Sequence, residues 1–228
     1  MLSALAVDSA WLKHCNPPRR RGRQVNLVAC RACFDNGGSR LYAYVHNQVP
    51  SAAARLDQFL DTSGVGKCDR VTIVTNGAGE FEKAVKGASR PTCRVLDWFH
   101  IAMRFRAVEQ TALKYPGLIT PYGCDFKSEI ASCKWLAWYG KGSKAVARLK
   151  RVHDAFKLLP DMRDTTLNWN LRHVFWYLRS NARHLVNYAH RYHRGLPISS
   201  AIAESAVNEV VSLRTAGVGD QSMRNPRK

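Results

Sequence analysis

Apolar and polar positions alternate at the start of the chain, and helical spacing takes over after Pro50. Segments 2–7, 24–34 and 40–48 are rich in Val, Leu, Tyr and Ala, and Pro17, Pro18, Gly22 and the Asn36-Gly37-Gly38 run separate them. That pattern predicts three strands joined by hairpin turns. Ala53, Leu56, Phe59 and Leu60 then recur at helical spacing until Gly64. Strand and helix alternate afterwards: a buried strand over 70–75, a helix over 80–85, a strand over 93–97, and a helix from Trp98 with Ile101, Ala102, Phe105, Val108 and Ala112 on one stripe. A meander followed by right-handed crossovers gives an α/β fold, a mixed five-stranded sheet covered by helices.

The remainder is helical by the same test. Trp135, Leu136, Trp138, Val146 and Leu149 mark helix within 127–159, which Pro160 breaks. Leu171, Val174, Phe175, Leu178, Ala182, Leu185 and Ala189 predict one long helix closed by Gly195 and Pro197. A last helix is expected from Ser199 or Ser200, and the polar, Gly-containing segment 215–228 is expected to be a disordered tail.

Composition narrows the partner. The 228 residues carry 35 Lys plus Arg against 17 Asp plus Glu, a formal net charge of +18, and 46% are hydrophobic, enough for a real core. Such a surface calls for a polyanion. No apolar run reaches the roughly 18 residues of a spanning helix, so nucleic acid rather than a membrane is the expected partner. The short apolar start is unlike a secretory signal, and seven scattered cysteines fit a reducing cytoplasm better than a disulfide framework. Cys30 and Cys33 have the spacing of a metal or redox pair, but no second pair answers them, which favours two ordinary strand cysteines.

Three polar residues stand at strand ends: Asp8 after the first, Asn76 after the fourth and Asp97 after the fifth. In a sheet of this order they are expected at one edge, with Glu204 of the last helix completing a site for hard divalent cations. Singly each has an ordinary explanation, since a strand-end Asp is commonly a turn former or helix cap. Their order in a basic chain raises the functional reading.

The segments Val7-Asp8-Ser9, Thr75-Asn76-Gly77-Ala78, Leu96-Asp97-Trp98-Phe99-His100-Ile101 and Ile198-Ser199-Ser200-Ala201-Ile202-Ala203-Glu204-Ser205 resemble motifs of bacterial insertion-sequence transposases of the ISKra type. The resemblance runs from about residue 5 to Arg214 and implies an RNase H-like DDE core. It implies a core in 1–114, a helical insertion in 115–196 and a final core helix in 197–214. It assigns catalysis to Asp8, Asn76 and Glu204, with Asp97 and His100 in support. Asp8, Glu204 and Asp97 would bind Mg²⁺ or Mn²⁺ for cleavage and strand transfer at transposon ends and target DNA, at the nucleoid of a bacterial cytoplasm. A homo-oligomer is also compatible with it.

The chain departs from that pattern where Asn76-Gly77 replaces Asp-Gly, removing a charge from a site for two dications. It also begins at the first core strand and leaves the pattern after Leu213, so a truncated transposase is expected. The alternatives are an inactive remnant that at most binds DNA and, outside both, an RNA- or ribosome-associated basic protein. Independently of the family, Arg172, Trp176, Arg179, Arg183, Asn187, His190 and Arg194 follow at steps of three or four without an acid, a stripe for DNA phosphates. Arg19, Arg20, Arg21 and Arg23 form a basic hairpin loop with the same potential. Trp135, Trp138, Trp169, Trp176, Tyr188 and Tyr192 divide between core packing and stacking on unpaired bases. His190 and His193 have no matching Cys pair for a zinc site and suit a helix surface instead.

Overall fold

The computed structural model describes residues 2–13, 24–34, 38–45, 49–77 and 79–200. Strands β1 (Leu2–Lys13), β2 (Gln24–Phe34) and β3 (Ser39–Val45) form the expected antiparallel meander. Helix α1 (Ala52–Thr62), β4 (Val71–Thr75), α2 (Gly79–Gly87), β5 (Thr92–Leu96) and α3 (Trp98–Ala112) follow in the expected order. The sheet order is β3-β2-β1-β4-β5, and β4 joins β1 in parallel. The chain is therefore α/β with a mixed five-stranded sheet. It divides into two compact units, one of the residues up to Arg94 together with Ser200 and the other spanning Val95–Ser199.

One strand is longer than its sequence pattern predicts. β1 does not stop at Val7: the hairpin with β2 continues through Ala10↔Leu27 and Leu12↔Val25 to Lys13↔Gln24. A single acid does not end a strand whose antiparallel partner keeps satisfying its backbone groups. The parallel partner β4, by contrast, is last paired at Thr75, opposite Val7.

The first unit buries Leu5, Val28, Ala32, Leu56, Phe59, Leu60 and Ile73 in one cluster, so α1 closes on the sheet through the apolar stripe read from its sequence. Ser51 caps α1, accepting from the Ala54 N–H at 3.3 Å. Arg90 is buried here and satisfied by many acceptors. It donates to the carbonyls of Val65 (3.1 Å) and Gly66 (3.3 Å) and pairs with Asp57 and Asp61, tying the end of α1 to the approach to β5. Cys30 and Cys33 are an odd number of residues apart on β2, and strand alternation puts such positions on opposite faces. They do not form a chelating pair; Cys30 is core, and burial pushes its thiol up to about 12.

The second unit is a stack of helices: α3, α4 (Phe126–Trp138), α5 (Gly142–Phe156), α6 (Thr166–Ser180) and α7 (Tyr188–His193), in which α3 packs on α6, α4 on α5 and α5 on α6. Gly140, at φ +75°, turns the chain between α4 and α5; a Cβ there would meet Asn187 Cβ at 2.8 Å. Phe126 and Phe156 meet at 5.0 Å in the core between α4 and α5. An ion cluster around one buried carboxylate ties the same two helices together. Glu129 is only 3% exposed. It accepts from Arg148 Nη2 (2.6 Å) and Nε (2.9 Å), Tyr122 Oη (3.2 Å) and Arg151 Nη2 (3.4 Å). The Arg148 guanidinium is the main reason that its carboxyl is held down at about 2.

The long helix predicted across 171–194 is instead broken. α6 ends at Ser180, a short 3-10 turn covers Ala182–His184, and α7 begins at Tyr188. Asn181 leaves helical geometry and donates its Nδ2 back to the Tyr177 carbonyl at 2.9 Å, while Asn187 caps α7 by accepting from the His190 N–H at 2.9 Å. Two asparagines whose side chains compete for backbone partners thus interrupt an apolar periodicity that runs across the gap.

Candidate functional site

Register decides where Asp8 and Asn76 fall in the first unit. Val7 pairs with Thr75 at the end of the β1–β4 ladder, so Asp8 and Asn76 are the residues that follow that last pair on the two segments. β4 ends at Thr75, and Gly77 adopts φ +87°, a left-handed turn that glycine accepts without strain. Asn76 is half-buried in that turn. Behind it Thr75 is fully buried, and its hydroxyl accepts from Arg94 Nε at 2.8 Å.

Asp97 belongs to the second unit, as the N-cap of α3. It is 0% exposed, and both oxygens are engaged: Oδ1 accepts from the Phe99 N–H at 2.7 Å and Oδ2 from His100 Nδ1 at 2.9 Å. A carboxylate only accepts, so His100 Nδ1 carries the proton of this hydrogen bond. The Trp98 N–H, another donor that a helix start leaves over, is taken by the Ile198 carbonyl at 2.8 Å. The Asp-Trp-Phe-His segment and the start of the Ile-Ser-Ser segment, 100 residues apart from Trp98 to Ile198, are therefore hydrogen-bonded neighbours.

Further contacts fix this end of α3. The Tyr188 hydroxyl donates to the Leu96 carbonyl at 2.8 Å, and burial, first among the causes, raises its pKa. Arg191 Nε and Nη2 donate to the Pro197 carbonyl at 3.1 and 3.0 Å. Trp98 packs on Trp138 (4.7 Å) and on Tyr188 (5.0 Å), so Trp138 and Tyr188 are packing residues of the helical unit. Sequence alone could not assign them, because core and stacking aromatics share one periodicity.

The donors that a divalent cation would use are all oxygens, which suits Mg²⁺ or Mn²⁺. The two residues after the last β1–β4 pair supply one carboxylate by residue type, Asp8, and one amide, Asn76, so together they offer half the charge of two acids. Glu204 and the loop arginines Arg19, Arg20, Arg21 and Arg23 lie outside the described residues.

The basic stripe is shorter than its spacing predicts. Because the helix breaks at Asn181, Arg172, Trp176 and Arg179 share α6, whereas Arg183 sits on the 3-10 turn, Asn187 caps α7 and Arg194 ends it. Seven residues at helical steps therefore do not make one face. What the structure adds is a groove where α3 meets α6, lined by Arg104, Trp169, Arg172, His173, Trp176 and Tyr177. Arg104 had no signal in the sequence beyond its i+4 position from His100. Its guanidinium carbon lies 3.9 Å from the Tyr177 ring centre, a cross-helix contact that no local pattern encodes.

Compared with protein-family models and with curated proteins, the sequence matches none. Among the described residues, no helix is long and apolar enough to cross a membrane.

Proposed function

We propose that the chain is the core of a DDE-type DNA transposase with an RNase H-like fold, acting on bacterial DNA at an insertion sequence's ends and at its target. The observation that supports this best is the β1–β4 register, whose last pair, Val7 with Thr75, is followed directly by Asp8 and Asn76. In this reading Asp8 and Glu204 hold metal, Asn76 stands in the second ligand's place, and Asp97 with His100 positions the first turn of α3. Mg²⁺ or Mn²⁺, when bound, would activate the attacking water or 3′-hydroxyl and stabilise the leaving oxygen. Asn76 lends a carbonyl oxygen without a charge, so cation affinity falls relative to an acid there.

That amide favours a second reading, a catalytically inactive relative that binds DNA. Nicking of supercoiled plasmid in Mn²⁺ or Mg²⁺ separates the two. Asn76→Asp is expected to raise nicking at least tenfold, and Asp8→Asn in that background to abolish it. Nicking by Asn76→Asp no faster than by the unaltered protein would overturn the assignment of position 76. Absence of nicking in both would favour the inactive reading.

A further inference from the structure

The groove between α3 and α6 carries two exposed indoles among cations. Trp169, His173 and Trp176 follow at steps of four and three on α6, which puts them on one helix face, and Arg172 is an exposed neighbour. Trp169 is 58% exposed and Trp176 44%, and an indole left in water forgoes much of the burial that ordinarily stabilises it. A single exposed apolar residue needs no explanation, but two tryptophans on one face beside a groove form a patch. Each is backed by its own helix. The His173 ring centre lies 3.8 Å from that of Trp169, and the Arg179 guanidinium carbon 4.7 Å from the Trp176 ring centre.

The charge of the groove selects the class of partner. Arg104 and Arg172 line it with His173, and among the described residues its lining contains no acid. A cationic groove with exposed aromatic faces matches a polyanion that offers flat rings, and the rings of a duplex are already stacked on one another. Seven residues of helix separate the two indoles by about 10 Å along the axis, a span that a single strand bridges with unpaired nucleotides.

We infer that this groove binds single-stranded DNA, with Trp169 and Trp176 stacking on unpaired bases and Arg104 and Arg172 meeting phosphates. The choice of DNA over RNA rests on the proposed function; the groove itself needs no metal.

Anisotropy of fluorescein-labelled (dT)20 with the full chain in EDTA tests it. Trp169→Ala/Trp176→Ala is expected to weaken binding, by about 5- to 150-fold for each base that no longer stacks. Trp169→Phe/Trp176→Phe keeps flat rings and is expected to retain most of the affinity, which separates stacking from a damaged fold. Arg172→Gln is expected to lower the salt slope by roughly 0.7, the value for one single-strand phosphate contact. Unchanged (dT)20 affinity in the double Ala variant, or an equal loss on a 20-base-pair duplex, would overturn the inference. Tighter binding of (rU)20 than of (dT)20 would overturn the choice of DNA and count against the transposase reading. Failure of the groove variants to change (dT)20 binding, with nicking by Asn76→Asp intact, would reject the groove alone.

Discussion

Replacing Glu129 by Gln tests what holds the helical unit together. The carboxylate is 3% exposed and accepts two hydrogen bonds from Arg148, with Arg151 and Tyr122 adding to them. Gln keeps the shape and removes the charge, leaving Arg148 against a neutral acceptor in a buried place. The native carboxyl is held at about 2 against an ordinary value of 4.5. At 1.36 kcal/mol per unit, that difference is worth about 3 kcal/mol at pH 7. Because the folded-state pKa is depressed, this stabilisation is fully present above pH 4.5 and is lost as pH falls towards 2. At pH 3 the native carboxylate remains mostly ionised while the unfolded one is mostly protonated, so about 1 kcal/mol is left. Urea unfolding followed by tryptophan fluorescence at pH 7 and pH 3 measures the gap between protein and variant, which is expected to fall by more than half. A gap below about 0.5 kcal/mol at pH 7, or one of equal size at both pH values, would refute the reasoning.

Two further outcomes follow from the same geometry. Asp97→Ala removes both the cap on the Phe99 N–H and the acceptor of His100, and is expected to cost about 2 kcal/mol in urea unfolding with EDTA present. A loss under about 0.5 kcal/mol would mean that those bonds do not stabilise α3. Thiol labelling with a disulfide reagent at pH 8 is expected to modify exposed Cys68 quickly and to leave Cys30 and Cys133 unmodified in the folded protein, since burial pushes both of those thiols up to about 12. Labelling of all three at one rate would contradict the packing.

The order of elements is legible in the residues alone, because each apolar repeat in the first 112 residues is bounded by Gly, Pro, Asn or a capping side chain. The spacing of Leu56, Phe59 and Leu60 located α1, and the same pattern placed Asp97 at the start of α3. Net charge alone also predicted a basic surface for a polyanionic partner. Register and long-range packing account for the rest. β1 runs past Asp8 because β2 keeps pairing with it, and no local signal records the length of a partner strand. The helix over 171–194 breaks because Asn181 and Asn187 satisfy backbone groups that the apolar period ignores. Asp8 and Asn76 both follow the last β1–β4 pair only through the register that sets Val7 beside Thr75. The groove of Trp169, Trp176 and Arg104 joins positions some 65 residues apart through packing of α3 on α6. Local pattern is set by short-range sterics and hydrogen bonding, whereas register and interhelical contacts are set by which distant surfaces bury each other.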